Sequence, residues 1–220
     1  ETLLFGDHLG QAMAISGDLL VNIEGRLSTD LPKPRNRQYN YEQLPQRTRS
    51  NWLAAYGART GKLRWRRNAS GTEKSSKFTI GFLAAPVPFA NLLLVPVSDT
   101  GALWLYALNR NNGDTVWKTF LCDDPPGGCS HSSPVGLSVD GSDAYVASGA
   151  GMIFALDALS GTIRWTTRYP RRGKNNPTFQ QYSGNLGWTM LDVVGWERDV
   201  VIPHGKLLIV MASDFDYLFA

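Results

Sequence analysis

The side chains with the most obvious chemistry lie in one stretch, FLCDDPPGGCSHSS, which holds Cys122, Cys129 and His131, followed by Ser132 and Ser133. A histidine beside a hydroxyl is the arrangement of a base that activates a nucleophile, but no acid to orient the base and no oxyanion hole can be identified. Two cysteines and one histidine leave a tetrahedral metal ion short of a ligand. We therefore predict neither a catalytic residue nor a metal site in this stretch.

The two cysteines of this stretch are the only ones in the chain, and the Pro-Pro-Gly-Gly run between them folds the backbone back upon itself. Disulfides form in oxidising compartments, so the prediction depends on where the protein resides. We predict a local disulfide between Cys122 and Cys129 in an exported protein. Two free thiols are the alternative.

Other signatures of catalysis are missing from the sequence. There is no Gly-x-Ser-x-Gly elbow and no Walker loop, and Gly149-Ala-Gly151 precedes a predicted strand, which indicates a turn and not a dinucleotide site. The three histidines, His8, His131 and His204, lie far apart in the chain. The residues alone therefore predict no catalytic site and no cofactor.

No apolar run approaches the roughly 18 residues of a membrane helix. The best stretch, from Val200 to Ser213, is interrupted by Pro203 and Lys206, so no transmembrane segment is predicted. Glu1-Thr-Leu-Leu-Phe5 does not resemble a signal peptide, and we expect any export signal to have been removed or to lie upstream.

The elements that position these groups are predicted by an eleven-residue unit that occurs three times, with alanine, glycine and tryptophan at fixed offsets. The three copies begin at Ala55, Ala107 and Ala155, have their glycines at Gly61, Gly113 and Gly161, and end at Trp65, Trp117 and Trp165. The tryptophans are 52 and 48 residues apart, which is the length of one four-stranded propeller blade. Each unit is predicted to contain the end of a third strand, a turn whose glycine supplies a positive φ, and a fourth strand.

The composition agrees with this interpretation, because 43% apolar and 19% charged residues are typical of a globular chain, and glycine and aromatic residues are plentiful. We predict an all-β chain, a β-propeller of four-stranded antiparallel blades with about three complete blades and most of a fourth. It forms an open arc or a fragment of a seven- or eight-bladed disc. The chain is treated as one propeller segment, 1–220, truncated, with blades at about 8–69, 82–121, 132–169 and 187–220.

Within these blades, residues 82–89 are predicted to form the first strand of the second blade. In the fourth blade, the first strand is predicted from Gly187 to Val194, and residues 195–204 form a long connection to a strand from Lys206 to Ser213. An open arc exposes its edge strands, so edge-to-edge self-association is an expected behaviour.

The pattern Ala-x-Asp-x-x-Thr-Gly-x-x-x-Trp resembles the tryptophan-docking motif of the quinoprotein-like β-propellers, in which PQQ-like repeats build the blades. Ala155, Asp157, Ser160, Gly161 and Trp165 give the closest match, and the resemblance extends over essentially the whole chain. It implies that Trp65, Trp117 and Trp165 are packing residues that tie each blade to the next. The family includes pyrroloquinoline-quinone (PQQ) dehydrogenases with calcium and a lipoprotein of outer-membrane assembly.

Most long loops are predicted on one face of the disc, where binding usually resides. With Arg168, they carry fourteen basic and only five acidic residues, although the net charge of the chain is +3. Such a face favours a protein or anionic glycan partner, whereas no nucleic-acid module is recognised; simple solubility is the alternative. The candidate binding residues are Arg35, Arg37, Arg47, Arg49, Arg66, Arg67, Arg171 and Arg172.

We accordingly predict a noncatalytic, exported scaffold for binding or assembly, located in the periplasm or associated with the cell envelope. The alternative is part of a PQQ-dependent dehydrogenase that oxidises alcohols or aldose sugars. In the enzymes that the chain resembles, adjacent cysteines form a disulfide against the cofactor, whereas Cys122 and Cys129 are separated by six residues. PQQ and calcium are expected only under this alternative.

Overall fold

A computed structural model describes residues 13–24, 51–68, 81–99, 102–123, 135–169, 199–212 and 218–219, and within these ranges the chain is all-β. Sixteen strands are present in them. They are β1 (Met13–Ser16), β2 (Leu19–Glu24), β3 (Trp52–Gly57), β4 (Leu63–Asn68), β5 (Gly81–Phe82), β6 (Val87–Phe89), β7 (Leu92–Asp99), β8 (Ala102–Asn109), β9 (Thr115–Asp123), β10 (Gly136–Asp140), β11 (Asp143–Ala147), β12 (Met152–Asp157), β13 (Ile163–Arg168), β14 (Val200–His204), β15 (Leu207–Met211) and β16 (Leu218–Phe219).

The strands form antiparallel meanders in chain order. Blade 1 contains β1–β4, blade 2 contains β5–β9, blade 3 contains β10–β13, and β14–β16 form a three-stranded sheet that we call sheet 4. In blade 2, β5 and β6 both pair with β7, so together they take the place of the first strand of the sheet. Each of the first three sheets therefore has four strand positions in chain order, as a propeller blade does.

Three apolar cores join these sheets face to face in the order of the chain. The first packs Leu53 of blade 1 against Val95 of blade 2, and the second packs Leu105 of blade 2 against Phe154 of blade 3. The third packs Ile153 of blade 3 against Val210 of sheet 4. Because blade 2 is covered on both faces, β7 is an almost continuous buried run of apolar residues.

Two predicted strands differ from the structure. The predicted strand 82–89 is two short strands, because Leu83–Pro86 interrupts the pairing with β7 between Phe82 and Val87. The first strand of sheet 4 is Val200–His204, which lies inside the predicted connection 195–204, and it pairs with β15 across a tight turn at Gly205. Among the described strands β14 pairs with β15 alone, so Pro203, which has no N–H to donate, interrupts no other described pairing.

Several predictions fall on residues outside the described ranges. They include Cys129, the His131-Ser132-Ser133 cluster and the predicted strand from Gly187 to Val194. Cys122 lies half-buried on β9, and the predicted disulfide stays a prediction. Over the ranges that are described, no helix is long and apolar enough to cross a membrane.

Candidate functional site

The three turns between the third and fourth strand of each blade have the same backbone structure. The N–H groups of Gly61, Gly113 and Gly161 each donate to the carbonyl four residues earlier at 2.8 Å. All three glycines have positive φ values, +64°, +77° and +74°. This left-handed conformation is strained for residues with a Cβ, which explains the glycine at this offset.

Trp65 on β4 lies against the glycine of the next blade. Its ring is so close to Gly113 that a Cβ built there would be 2.8 Å from Cε3, and the indole Nε1–H donates to the carbonyl of Arg110 at 2.9 Å. The guanidinium of Arg110 in turn lies 3.0 Å from the position of a Cβ on Gly17 of blade 1. Trp65 is only 9% exposed. One side chain therefore joins the apolar core of blades 1 and 2 to the backbone of a turn.

Trp117 on β9 repeats this contact on Gly161, where an added Cβ would be 2.5 Å from Cε3. Its Nε1–H has no hydrogen-bond partner in the described part of the chain, which differs from Trp65. Trp165 on β13 is 42% exposed and contacts the ring of Tyr145 at a centroid distance of 6.1 Å. The three tryptophans thus occupy equivalent strand positions in different surroundings.

A second interblade contact, which the sequence did not reveal, comes from the residue two positions after each tryptophan. Arg67 donates from Nη1 to the carbonyl of Gly113 at 2.6 Å, and Thr119 donates from Oγ1 to the carbonyl of Gly161 at 2.7 Å. Both residues share the face of the fourth strand that carries the tryptophan, because side chains two apart lie on the same side. The sequence repeat does not reveal this contact, because an arginine and a threonine occupy the equivalent positions and share only the ability to donate a hydrogen bond.

Arg67 belongs to a half-buried polar group between blades 1 and 2. Burial lowers the pKa of Arg67, and the nearby Tyr106 and Asp114 oppose this shift. Burial raises the pKa of Tyr106 to about 12, with a further contribution from Asp99, whose Oδ2 accepts from the tyrosine hydroxyl at 3.3 Å. Tyr106 therefore stays protonated at neutral pH and acts as a hydrogen-bond donor.

The turn of blade 3 is held by Asp157, the acidic residue of the repeated unit. Its Oδ1 accepts from the backbone N–H groups of Leu159 and Ser160 at 3.0 and 2.9 Å, and its Oδ2 pairs with Arg164 at 2.8 Å. Arg164 also pairs with Asp143 at 2.9 Å. The hydrogen bond from Arg164, followed by those from Ser160, lowers the pKa of Asp157 from 3.8 to about 2.

This shift gives a prediction for acid stability. A carboxyl whose pKa is lower in the folded chain stabilises the fold above about pH 4 and loses that contribution as the pH falls towards 2. The Asp157→Asn variant should melt slightly below the parent at pH 7, since the pair is exposed, and the difference should vanish near pH 2. Thermal melting of both proteins from pH 7 to pH 2 measures this; a difference that persists at pH 2 would contradict it.

The face of blade 1 that is turned away from blade 2 carries an aromatic and ionic cluster, which we call the front cluster. Arg66 pairs with Glu24 at 3.0 Å, and its guanidinium lies 4.7 Å from the ring centroid of Trp52. The hydroxyl of Tyr56 donates to Glu24, and this contact is the largest cause of the raised pKa of Tyr56. Ile15, on the same face, is 70% exposed.

Only two of the eight arginines predicted for the binding face are described, and the structure places both on β4. Arg66 belongs to the front cluster and Arg67 to the contact with blade 2, on opposite faces of that strand. The other six, Arg35, Arg37, Arg47, Arg49, Arg171 and Arg172, lie outside the described residues. Their role as a binding face stays a prediction.

Calcium is held by oxygen ligands, among which carboxylates are common. Over the described ranges there is no group of three or more His, Cys, Asp or Glu side chains that could hold a metal ion. Asp143 and Asp157, which lie opposite each other on β11 and β12, both pair with Arg164. No metal ligand and no reaction step are therefore assigned to the described residues.

Four-stranded meander sheets stacked face to face, with repeated glycine turns, define this chain as a β-propeller repeat protein. Its sequence matches the PQQ-like repeat family model described as "Outer membrane protein assembly factor BamB" over residues 34–135 and 101–183. The chain belongs to this family.

The proteins to which the chain is similar include dehydrogenases and a BamB protein. The chain is 28% identical over 181 residues to a polyvinylalcohol dehydrogenase of a Pseudomonas species, covering 75% of this chain and 27% of that protein. It is similar to BamB from Moraxella catarrhalis, with 18% identity and a TM-score of 0.45 over 93% of this chain and 55% of that one. The quinohemoprotein alcohol dehydrogenase of Comamonas testosteroni gives 14% identity and a TM-score of 0.44 over 76% and 22%. The chain spans about a quarter of the length of the curated relative.

Proposed function

We propose that this chain is a noncatalytic β-propeller scaffold that binds an anionic or protein partner through its long, basic loops. One observation carries the proposal: in the described blades, the charged groups with shifted pKa values are engaged in holding turns and blades together. Asp157 and Arg164 hold the turn of blade 3, and Arg67 holds the turn of blade 2. A side chain that transfers protons in catalysis must instead be placed where it can contact a substrate.

Membership of the family described as an outer-membrane assembly factor supports this role, because assembly is a binding function. The same description supports export to the periplasm or cell envelope, which would also favour the disulfide between Cys122 and Cys129. We propose a protein or an anionic glycan as the partner, recognised by arginines outside the described ranges. The indole contacts on Gly113 and Gly161 would keep blades 1, 2 and 3 in fixed positions relative to one another.

The basic loops give a prediction with a matched control. Replacing Arg35, Arg37 and Arg47 with alanine should lower the salt concentration at which the protein elutes from a heparin column, because fewer cations contact the anionic polymer. Replacing Arg59, Lys62 and Lys206, which are exposed on turns of the blades, removes the same charge from other surfaces. Equal elution of the two triple variants would contradict a dedicated basic face.

The second candidate is a PQQ-dependent dehydrogenase, which the similarity to a polyvinylalcohol dehydrogenase favours. The discriminating experiment incubates the protein with PQQ and calcium and follows the reduction of a redox dye with alcohols, polyvinyl alcohol and aldose sugars. The scaffold proposal predicts no dye reduction above a control without protein. PQQ-dependent turnover would overturn it.

A further inference from the structure

The glycine turn of blade 2 differs from its two equivalents in the residue that precedes the glycine. Asn112 precedes Gly113, whereas Thr60 and Ser160 occupy this position in the turns of blades 1 and 3. Asn112-Gly113 is also the only Asn-Gly pair in the sequence. The side-chain amide carbon of an asparagine can be attacked by the backbone nitrogen of the next residue, and a glycine there leaves the approach unhindered because it has no Cβ. The turn of blade 2 therefore contains a reactive pair that the other two turns lack.

The closed turn holds both reacting groups in hydrogen bonds. Gly113 is buried, and its N–H donates to the carbonyl of Asn109 at 2.8 Å. The exposed side chain of Asn112 is turned towards Asp114: its Nδ2 donates to Oδ2 at 2.6 Å, and its Oδ1 accepts from the backbone N–H at 3.1 Å. Attack requires the nitrogen of Gly113 to lose its proton, which the carbonyl of Asn109 holds. The reaction is therefore slow in the closed turn and proceeds when the turn opens.

Contacts from blade 1 keep this turn closed. The ring of Trp65 covers Gly113, and its Nε1–H donates to the carbonyl of Arg110 at 2.9 Å. Arg67 donates to the carbonyl of Gly113 at 2.6 Å. The nitrogen of Gly113 therefore becomes reactive when blade 1 releases the turn of blade 2.

We propose that Asn112 is a site of deamidation, at which each release of the turn by blade 1 can be converted into a permanent chemical change. The deprotonated nitrogen of Gly113 attacks Cγ of Asn112. The new N–Cγ bond forms as the Cγ–Nδ2 bond breaks, and the amide group leaves as ammonia with the proton. Water then opens the succinimide ring to give isoaspartate or aspartate. The step needs no oxidant or cofactor, and it is independent of the function proposed above.

Both products weaken the turn. Isoaspartate adds one carbon to the main chain directly before the glycine that contacts Trp65, so the hydrogen bonds of the turn can no longer all form. Aspartate keeps the main chain but replaces the Nδ2 that donates to Asp114 at 2.6 Å with a carboxylate oxygen, so that repulsion takes the place of a hydrogen bond. Deamidation therefore loosens the contact between blades 1 and 2, whereas the Gly161 turn, which has Ser160 at this position, is left unchanged.

The test is peptide mapping by mass spectrometry of the whole folded chain after incubation at mildly alkaline pH, with methyl transfer by an isoaspartyl methyltransferase to identify isoaspartate. Arg67→Ala should raise the rate at Asn112 roughly tenfold, because the loss of a charged hydrogen bond increases the population of the open turn. Thr119→Ala is the matched control, since it removes the equivalent bond to the Gly161 turn and should leave the rate at Asn112 unchanged.

Equal rates at Asn112 in these two variants would overturn the proposal, and so would a parent chain that reacts no faster in its open turn than in its closed one. The second measurement is urea unfolding of fresh and incubated protein. The incubated parent should unfold at a lower urea concentration than the fresh parent, whereas Asn112→Ser, with the serine of the blade 3 turn, should not change on incubation. An equal decline in both proteins would contradict the proposal, and this comparison decides if Arg67→Ala fails to fold.

Discussion

Replacing Gly161 with alanine is expected to destabilise the chain by about 2–5 kcal/mol. The left-handed conformation at +74° costs a residue with a Cβ about 1–2 kcal/mol. The new methyl group would also lie 2.5 Å from Trp117 and 2.7 Å from Oγ1 of Thr119, and such overpacking costs about 1–3 kcal/mol or more. Since small domains are stable by about 5–15 kcal/mol, urea unfolding should show a large fall in the midpoint.

The chain contains its own control for this result. Gly61→Ala introduces the same backbone strain at +64° but meets no described atom within 4 Å, so it should cost only about 1–2 kcal/mol. Gly113→Ala, with an added Cβ 2.8 Å from Trp65, should resemble Gly161→Ala. If all three variants unfolded at the same urea concentration, backbone strain alone would explain the glycines, and the indole contact would be irrelevant to stability.

Replacing Asn51 with alanine is expected to cost about 2–6 kcal/mol of stability, although the residue belongs to no motif. Its side chain is fully buried, donates from Nδ2 to the carbonyl of Phe82 at 2.9 Å and accepts from the N–H of Phe82 at 2.8 Å. Asn51 thereby satisfies both backbone groups at the start of blade 2. Alanine would leave two buried polar groups without partners, at about 1–3 kcal/mol each.

The measurement is again urea unfolding, with two comparisons. Asn51→Asp keeps an acceptor for the N–H of Phe82 but loses the donor and adds a buried charge, so it should not rescue stability. Asn112→Ala removes an exposed side chain whose Nδ2 donates to Asp114, and it should change stability by no more than about 0.5 kcal/mol. Equal effects of Asn51→Ala and Asn112→Ala would show that the contact with Phe82 is unimportant.

The regular part of this fold could be predicted because it is repeated in the sequence. Tryptophan and glycine at fixed offsets place the third and fourth strands of blades 1 to 3 within a few residues of their observed bounds. The all-β propeller architecture follows from the same periodicity and is confirmed. The repeat makes these strands predictable because each copy places a tryptophan and a glycine turn at the same offsets.

The parts that could not be predicted depend on contacts between distant residues. The strand Val200–His204 was wrongly predicted as a connection: Pro203 is a poor strand former, and the pairing with β15 overrides this local preference. Asn51 gives no local signal at all, since its partner Phe82 is 31 residues away. Arg67 was predicted as a ligand-binding residue from its charge, and its contact with Gly113 depends on the stacking of two blades.

The indole contact has a consequence for how such chains diversify. The turn that contacts the indole ring does so through a backbone carbonyl and a glycine. The side chain three residues before that glycine is therefore free to vary, and the three turns have Ala58, Arg110 and Ala158 there. A module copied or inserted by gene duplication would find a compatible neighbour without compensating mutations. Lengthening or shortening the array would then be an easier evolutionary step than redesigning any one unit within it.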